Sequence, residues 1–117
     1  MASTRRQAAL ARLSDQYARA RAELAGLGYI LPGSLTERRL PCGKALCTCT
    51  TDVAAWHGPY LQWSRKKRGR TVSTYLTPEA ARLCREWIAN NRKLEKIITR
   101  MRKLCLRVAH LHEIRTI

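Results

Sequence analysis

Cys42-Gly43-Lys44-Ala45-Leu46-Cys47-Thr48-Cys49, followed after seven residues by His57-Gly58-Pro59-Tyr60, is the stretch on which the fold of this chain turns. Its spacing, C-x4-C-x-C-x7-H, offers three thiolates and one imidazole, the donor set of a closed tetrahedral zinc site. Soft sulfur donors favour Zn2+ over magnesium or calcium, and four protein donors leave no position for a substrate or an activated water. Three thiols within eight residues argue against unrelated reduced cysteines. The five Cys are also an odd number, which suits a metal site in a reducing compartment better than a disulfide framework. Lys44, Arg38 and Arg39 are expected to help hold the thiolates deprotonated. Gly43 and Gly58, each beside a ligand, let the backbone turn tightly around an ion.

The rest of the chain explains why such a site is needed. The 117 residues allow one domain, or a small module with a helical arm. Apolar residues make up 45%, but fifteen residues are Ala and Phe is absent, so the core is modest. Chains this small often need a metal, a disulfide or a partner subunit. A further sign is that residues 28–59 carry turn chemistry (Leu31-Pro32-Gly33-Ser34-Leu35, then Pro41) and read as largely irregular, and a long irregular stretch needs something to organise it.

Beyond the metal motif the pattern turns to period two. Leu61 and Trp63 alternate with Tyr60, Gln62 and Ser64, and Val72, Thr74 and Leu76 alternate with Thr71, Ser73 and Tyr75. With Gly69 between them, this predicts a two-stranded antiparallel β-hairpin over residues 60–76. The flanking segments are helical. Leu10, Leu13, Tyr17, Ala20, Leu24 and Leu27 recur at steps of three and four, predicting a helix over 4–26 that ends at Gly26 and Gly28. Thr77-Pro78-Glu79 is a helix start, with a hydroxyl cap, Pro at the first helical position and a carboxylate at the positive end of the dipole. No Gly or Pro follows to the end of the chain, so one helix is expected to about His112, on the order of 50 Å long.

That helix carries an apolar seam through Ala80, Leu83, Trp87, Asn90, Leu94, Ile97, Met101, Leu104, Val108 and Leu111. A seam of this kind wants another helix, in a coiled coil, a homodimer, a partner protein or a bundle with the N-terminal helix. Asn90 interrupts it and can fix register. The fold class is therefore α+β, in three segments: an N-terminal helix (1–27), a zinc loop with a basic hairpin (28–76) and a long C-terminal helix (77–117).

Charge narrows the function. The formal net charge is +15, which disfavours an enzyme of small neutral metabolites and points to a polyanion. Arg65, Lys66, Lys67, Arg68 and Arg70 crowd at the hairpin turn with no acid among them. Arg forks pair well with phosphate oxygens, and a two-stranded ribbon fits a DNA groove. The candidate nucleic-acid contacts are these five with Arg38, Arg39 and Lys44, and more diffusely the cations of the long helix. Tyr60 and Tyr75 can stack on bases, though packing beside the zinc is favoured for both. The candidate helix-pairing residues are Leu83, Trp87, Leu94, Ile97, Met101, Leu104 and Val108.

Other classes find little support. Cys49 and His57 can be drawn as a nucleophile pair, but a metal explains them better. The acidic residues do not pair into a two-metal site, and there is no phosphate loop or Ser-His-Asp set. No stretch reaches the length of a membrane span and no signal-peptide core opens the chain, so a cytoplasmic protein without a small-molecule substrate is expected. A transit peptide is disfavoured by Asp15 and Glu23 among the N-terminal arginines.

The order Leu31-Pro32-Gly33-Ser34, Arg39, Cys42-Gly43-Lys44, Cys47-Thr48-Cys49, His57-Gly58-Pro59-Tyr60, a basic hairpin and a long helix resembles a family of small uncharacterised bacterial and archaeal proteins with a CGK..C.C…HGPY signature, a domain of unknown function. The resemblance covers about residues 31–98 and leaves the N-terminal helix outside. It implies that Cys42, Cys47, Cys49 and His57 act as a set and lends no activity. Residues 50–56 depart from the pattern, in which this stretch is shorter and contains Gly. The expected function is non-catalytic, zinc-stabilised binding of nucleic acid, DNA in preference to RNA. The alternative is an accessory subunit of a recombinase or transposase type machine, docking through the long helix.

Overall fold

The computed structural model describes residues 2–114. In chain order it contains α1 (Ala2–Ala25), β1 (Ser34–Leu40), two short 3-10 turns (Thr48–Thr50 and Val53–Ala55), β2 (His57–Lys67), β3 (Arg70–Leu76) and α2 (Pro78–Leu111). These group into two compact units, residues 1–29 with 90–117, and residues 30–89.

The unit of residues 30–89 is built on an antiparallel sheet in the order β1-β2-β3. The hairpin over 60–76 forms as its alternation predicts, with Lys67 facing Arg70 and Leu61 facing Leu76. Its two-residue turn, Arg68-Gly69, has positive φ at both positions (53° and 79°), the signature of the type I′ turn whose twist matches the strands it joins. The sheet has three strands, not two, and residues 28–59 are not simply irregular: Ser34–Leu40 pairs with β2, Leu35 facing Trp63 and Glu37 facing Leu61. The sequence hides this strand because Thr36, Glu37, Arg38 and Arg39 are all exposed, leaving only Leu35 and Leu40 as apolar signals.

The register separates two faces. Leu35, Glu37, Leu61, Trp63, Arg65, Val72, Thr74 and Leu76 share one, and Arg38, Tyr60, Gln62, Ser64 and Tyr75 fall on the other. Glu37 lies 4.0 Å from Arg85, which turns the first face toward the start of α2. The Leu31 N–H donates to the Trp87 carbonyl at 3.1 Å, tying the segment before β1 to the same helix. α2 starts as its sequence predicts, the Thr77 hydroxyl accepting the Ala80 N–H at 3.2 Å. The residues it buries in this unit are Ala81, Cys84 and Ile88, one position on from the expected Ala80, Leu83 and Trp87, and Leu83 is exposed. This stretch of the helix belongs to the same compact unit as the sheet, so the coiled-coil frame does not govern which residues turn inward.

In the other unit the seam does follow the sequence. Ile97 and Leu104 are buried, as are Leu13 and Ala20 of α1, each pair seven residues apart. Glu23 pairs with Arg100 at one end of this helix pair, while Leu10 and Leu13 share a cleft with Val108 and His112 toward the other. The helices therefore run antiparallel. Asn90 uses its side chain locally, donating to the Tyr29 carbonyl at 2.9 Å just beyond α1.

Candidate metal centre and basic surface

Each ligand of the Cys3His set is placed by a different local device. Cys42 follows Pro41 at the end of β1. Cys47 precedes the 3-10 turn that carries the buried Cys49. Two hydrogen bonds of the Thr50 hydroxyl brace the segment between them, to the Lys44 carbonyl at 3.0 Å and to the Ala45 carbonyl at 3.4 Å. Asp52 caps the next turn by accepting the Ala54 N–H at 3.0 Å, and Arg39 donates to the Trp56 carbonyl at 2.8 Å. This polar bracing, rather than glycine, holds residues 50–56. His57 opens β2 beside an irregularity in register: Arg38 faces Tyr60, but Leu40 faces His57, so β2 holds one residue more than β1. Such a bulge re-aims the side chain beside it. Gly58 makes it possible, with φ 131° and a backbone so close to the Arg38 carbonyl that a Cβ would lie 2.8 Å from it.

The four donor atoms all lie within 4.8 Å of one another. The Cys42 and Cys49 sulfurs are 3.5 Å apart, and the Cys47 sulfur is 3.3 Å from His57 Nε2. A tetrahedron with metal bonds of 2.0–2.3 Å has edges of roughly 3.3–3.8 Å, so these separations suit a single ion at the centre. The Cys42 N–H points at the Cys49 sulfur from 3.3 Å, an interaction that stabilises a thiolate. The Cys47 thiol is held below its ordinary pKa first by the Cys49 backbone N–H and then by the Cys49 and Cys42 thiols. For Cys49 the Cys42 N–H acts downward, but burial and the two neighbouring thiols outweigh it and push the group up. One thiol of the cluster thus ionises ahead of another, and a bound cation completes what hydrogen bonds begin. The cluster can hold a metal ion.

The structure does not gather the expected nucleic-acid residues into one patch. Lys66, Lys67, Arg68 and Arg70 are exposed at the hairpin tip. Arg65 is engaged elsewhere: its guanidinium lies 3.8 Å over the Trp63 ring and donates to the Thr74 hydroxyl at 2.6 Å. Arg38 stands on the open sheet face, Arg39 is committed to Trp56, and Lys44 is exposed between Cys42 and Cys47. Of the expected helix-pairing residues, Ile97 and Leu104 are buried and Leu94, Met101 and Val108 half-buried, while Trp87 belongs to the sheet unit and Leu83 is exposed. Tyr60 and Tyr75, expected to pack beside the metal in preference to stacking on bases, share a groove with Cys42. They are 40% and 60% exposed, on the face away from Glu37. Their period-two alternation with Leu61, Leu76 and Trp63 was the available signal. No helix among the described residues is long and apolar enough to cross a membrane.

The chain belongs to the family of a domain of unknown function, DUF6788, whose model matches residues 4–86. The match takes in α1, so the N-terminal helix, outside the signature over 31–98, is part of the family's domain. No curated protein and no solved structure matches the chain.

Proposed function

We propose that this protein is a non-catalytic nucleic-acid-binding protein, for DNA in preference to RNA, with Zn2+ as its structural ion. The observation that carries the reading is the hairpin tip. Lys66, Lys67, Arg68 and Arg70 project from a two-residue turn with no carboxylate between residues 65 and 76. Like charges held this close repel one another, and a row of phosphates relieves that repulsion. Zinc is favoured over other ions by three sulfurs and one nitrogen in tetrahedral spacing. Because those four donors close the coordination shell, the ion serves the fold and not a reaction.

The test is a salt titration of duplex DNA binding followed by fluorescence anisotropy. Replacing Lys67, Arg68 and Arg70 together with Gln is expected to lower the slope of log K against log salt by about 3, since each phosphate neutralised by a cation accounts for about 0.9. Zinc stoichiometry should be unchanged at about one per chain. An unchanged slope, or no salt-dependent binding by the unaltered protein, rejects the reading.

One observation favours a second reading, an accessory protein that docks through α2: Leu106 is 71% exposed on that helix. Ile97 is buried within its own unit, so Leu106→Asp is the informative variant. It should leave DNA binding intact and abolish partner or self association if this reading holds.

A further inference from the structure

We propose that the open face of the sheet, centred on Tyr60 and Tyr75, binds unpaired bases of single-stranded nucleic acid by stacking. The proposal rests on the nucleic-acid reading above and specifies what the protein grips besides phosphate.

Both rings stand on the face opposite Glu37, and Tyr75 is the more exposed at 60%. They meet edge to face, with centroids 6.0 Å apart and planes at 73°. This geometry braces one ring with the other, and most of the Tyr75 surface stays exposed. Gln62, directly across from Tyr75 in the register, is buried. The tyrosines also border a groove of about 580 Å³ at the end of the sheet next to Cys42, lined by Pro41 and Pro59 and, from the other face, by Leu61 and Leu76. That volume falls in the range of sites for small planar ligands, and its walls are apolar surfaces a base can cover.

Charge chooses the occupant. On this face β1 contributes Arg38 opposite Tyr60, and β2 contributes Lys66 toward the hairpin tip, while Glu37 falls on the other side. No carboxylate occurs on it along the paired strands. An apolar or acidic peptide matches only one part of such a rim; a chain of phosphates bearing planar bases is complementary to both parts. From Thr71, which faces Lys66, to Tyr75 the strand covers roughly 14 Å at about 3.4 Å per residue, so a single strand can lay a phosphate on Lys66 and reach the rings with its bases. A duplex keeps its bases stacked on one another and offers nothing for Tyr75 to hold, whereas every unpaired base has a π-face.

The experiment compares an oligonucleotide of about 12 nucleotides, single-stranded and as a duplex, by anisotropy at fixed salt. Tyr75→Ala should weaken single-strand binding about tenfold or more and leave duplex binding within about twofold, while Tyr75→Phe keeps both. Because Tyr75 is exposed, zinc content and tryptophan emission should not change. If the protein binds and Tyr75→Ala leaves single-strand affinity intact, or weakens duplex binding equally, the stacking face is overturned while the phosphate reading stands. If the unaltered protein binds neither form, the nucleic-acid reading itself fails.

Discussion

Residues 30–89 bury Cys49, Gln62, Ala81, Cys84 and Ile88, mostly small or polar, whereas residues 1–29 with 90–117 bury Leu13, Ala20, Ile97 and Leu104 at heptad spacing. The helical unit gathers its apolar area from two long amphipathic segments facing each other. The sheet unit cannot, because β1 is mostly polar and exposed and, within the cysteine loop of residues 41–56, Cys49 alone is buried. One unit is thus held by side-chain burial, the other by turn chemistry and a Cys3His cluster that can hold an ion. The difference gives each its own sensitivities, and the chain reports them separately, because Trp56, Trp63 and Trp87 all lie in the sheet unit.

Metal removal should therefore produce the largest effect and confine it. Structural zinc in small domains contributes on the order of 10 kcal/mol of apparent binding free energy, more than a sheet of this size can replace. Chelation, or Cys49→Ser, is expected to red-shift tryptophan emission and erase near-UV ellipticity while much of the far-UV helical signal survives. Full retention of the native tryptophan spectrum in metal-free protein would remove the structural role of the cluster.

Leu104→Ala probes the opposite unit. Leu104 is 8% exposed, and truncating it should cost about 2–3 kcal/mol. The destabilisation should appear in the thermal melt followed by far-UV ellipticity, with zinc stoichiometry unaltered. If tryptophan emission melts at the same lowered temperature, the two units unfold as one and the contrast between them is structural only.

The same contrast explains what could be read without a structure. The helical unit and the hairpin were legible because their signals are local and periodic: Leu10 to Leu27, the seam from Leu94 to Leu111, the alternation from Tyr60 to Leu76, and the cap at Thr77. The grouping of Cys42, Cys47, Cys49 and His57 was legible because thiols at that spacing have few other uses. β1 was not, since Thr36-Glu37-Arg38-Arg39 forms a strand only when β2 offers its hydrogen bonds, a tertiary cause that propensity does not register. The shift from Leu83 to Cys84 on α2 has the same origin: a heptad pattern describes helix against helix, and the first turns belong to the unit of the sheet. Arg65 reads as one more cation of the tip because its stacking on Trp63 and its bond to Thr74 depend on cross-strand register.

Thr77→Ala should have a smaller effect, on the sheet unit's side. It deletes the acceptor of the Ala80 N–H at the start of α2 and should cost about 1 kcal/mol. Thr77 lies in the sheet unit, so the change should appear as an earlier transition in tryptophan emission, with Thr77→Ser restoring most of it.

The smallest expected change separates stability from binding within a single residue. Arg68 has φ 53°, the left-handed region that costs an ordinary L side chain about 1 kcal/mol and that Asn tolerates better. A hairpin selected only for folding would carry Asn-Gly at this turn. Keeping Arg there sacrifices a fraction of the stability to place a guanidinium at the outermost point of the ribbon. Arg68→Asn should accordingly raise the sheet unit's stability by about 0.5–1 kcal/mol in denaturant titrations followed by tryptophan emission. It should also lower the salt slope of duplex binding by about 0.9, the share of one neutralised phosphate. A gain in stability with an unchanged slope would mean that the cation at the tip touches no phosphate, and the hairpin's contribution to binding would then fall to Lys66, Lys67 and Arg70.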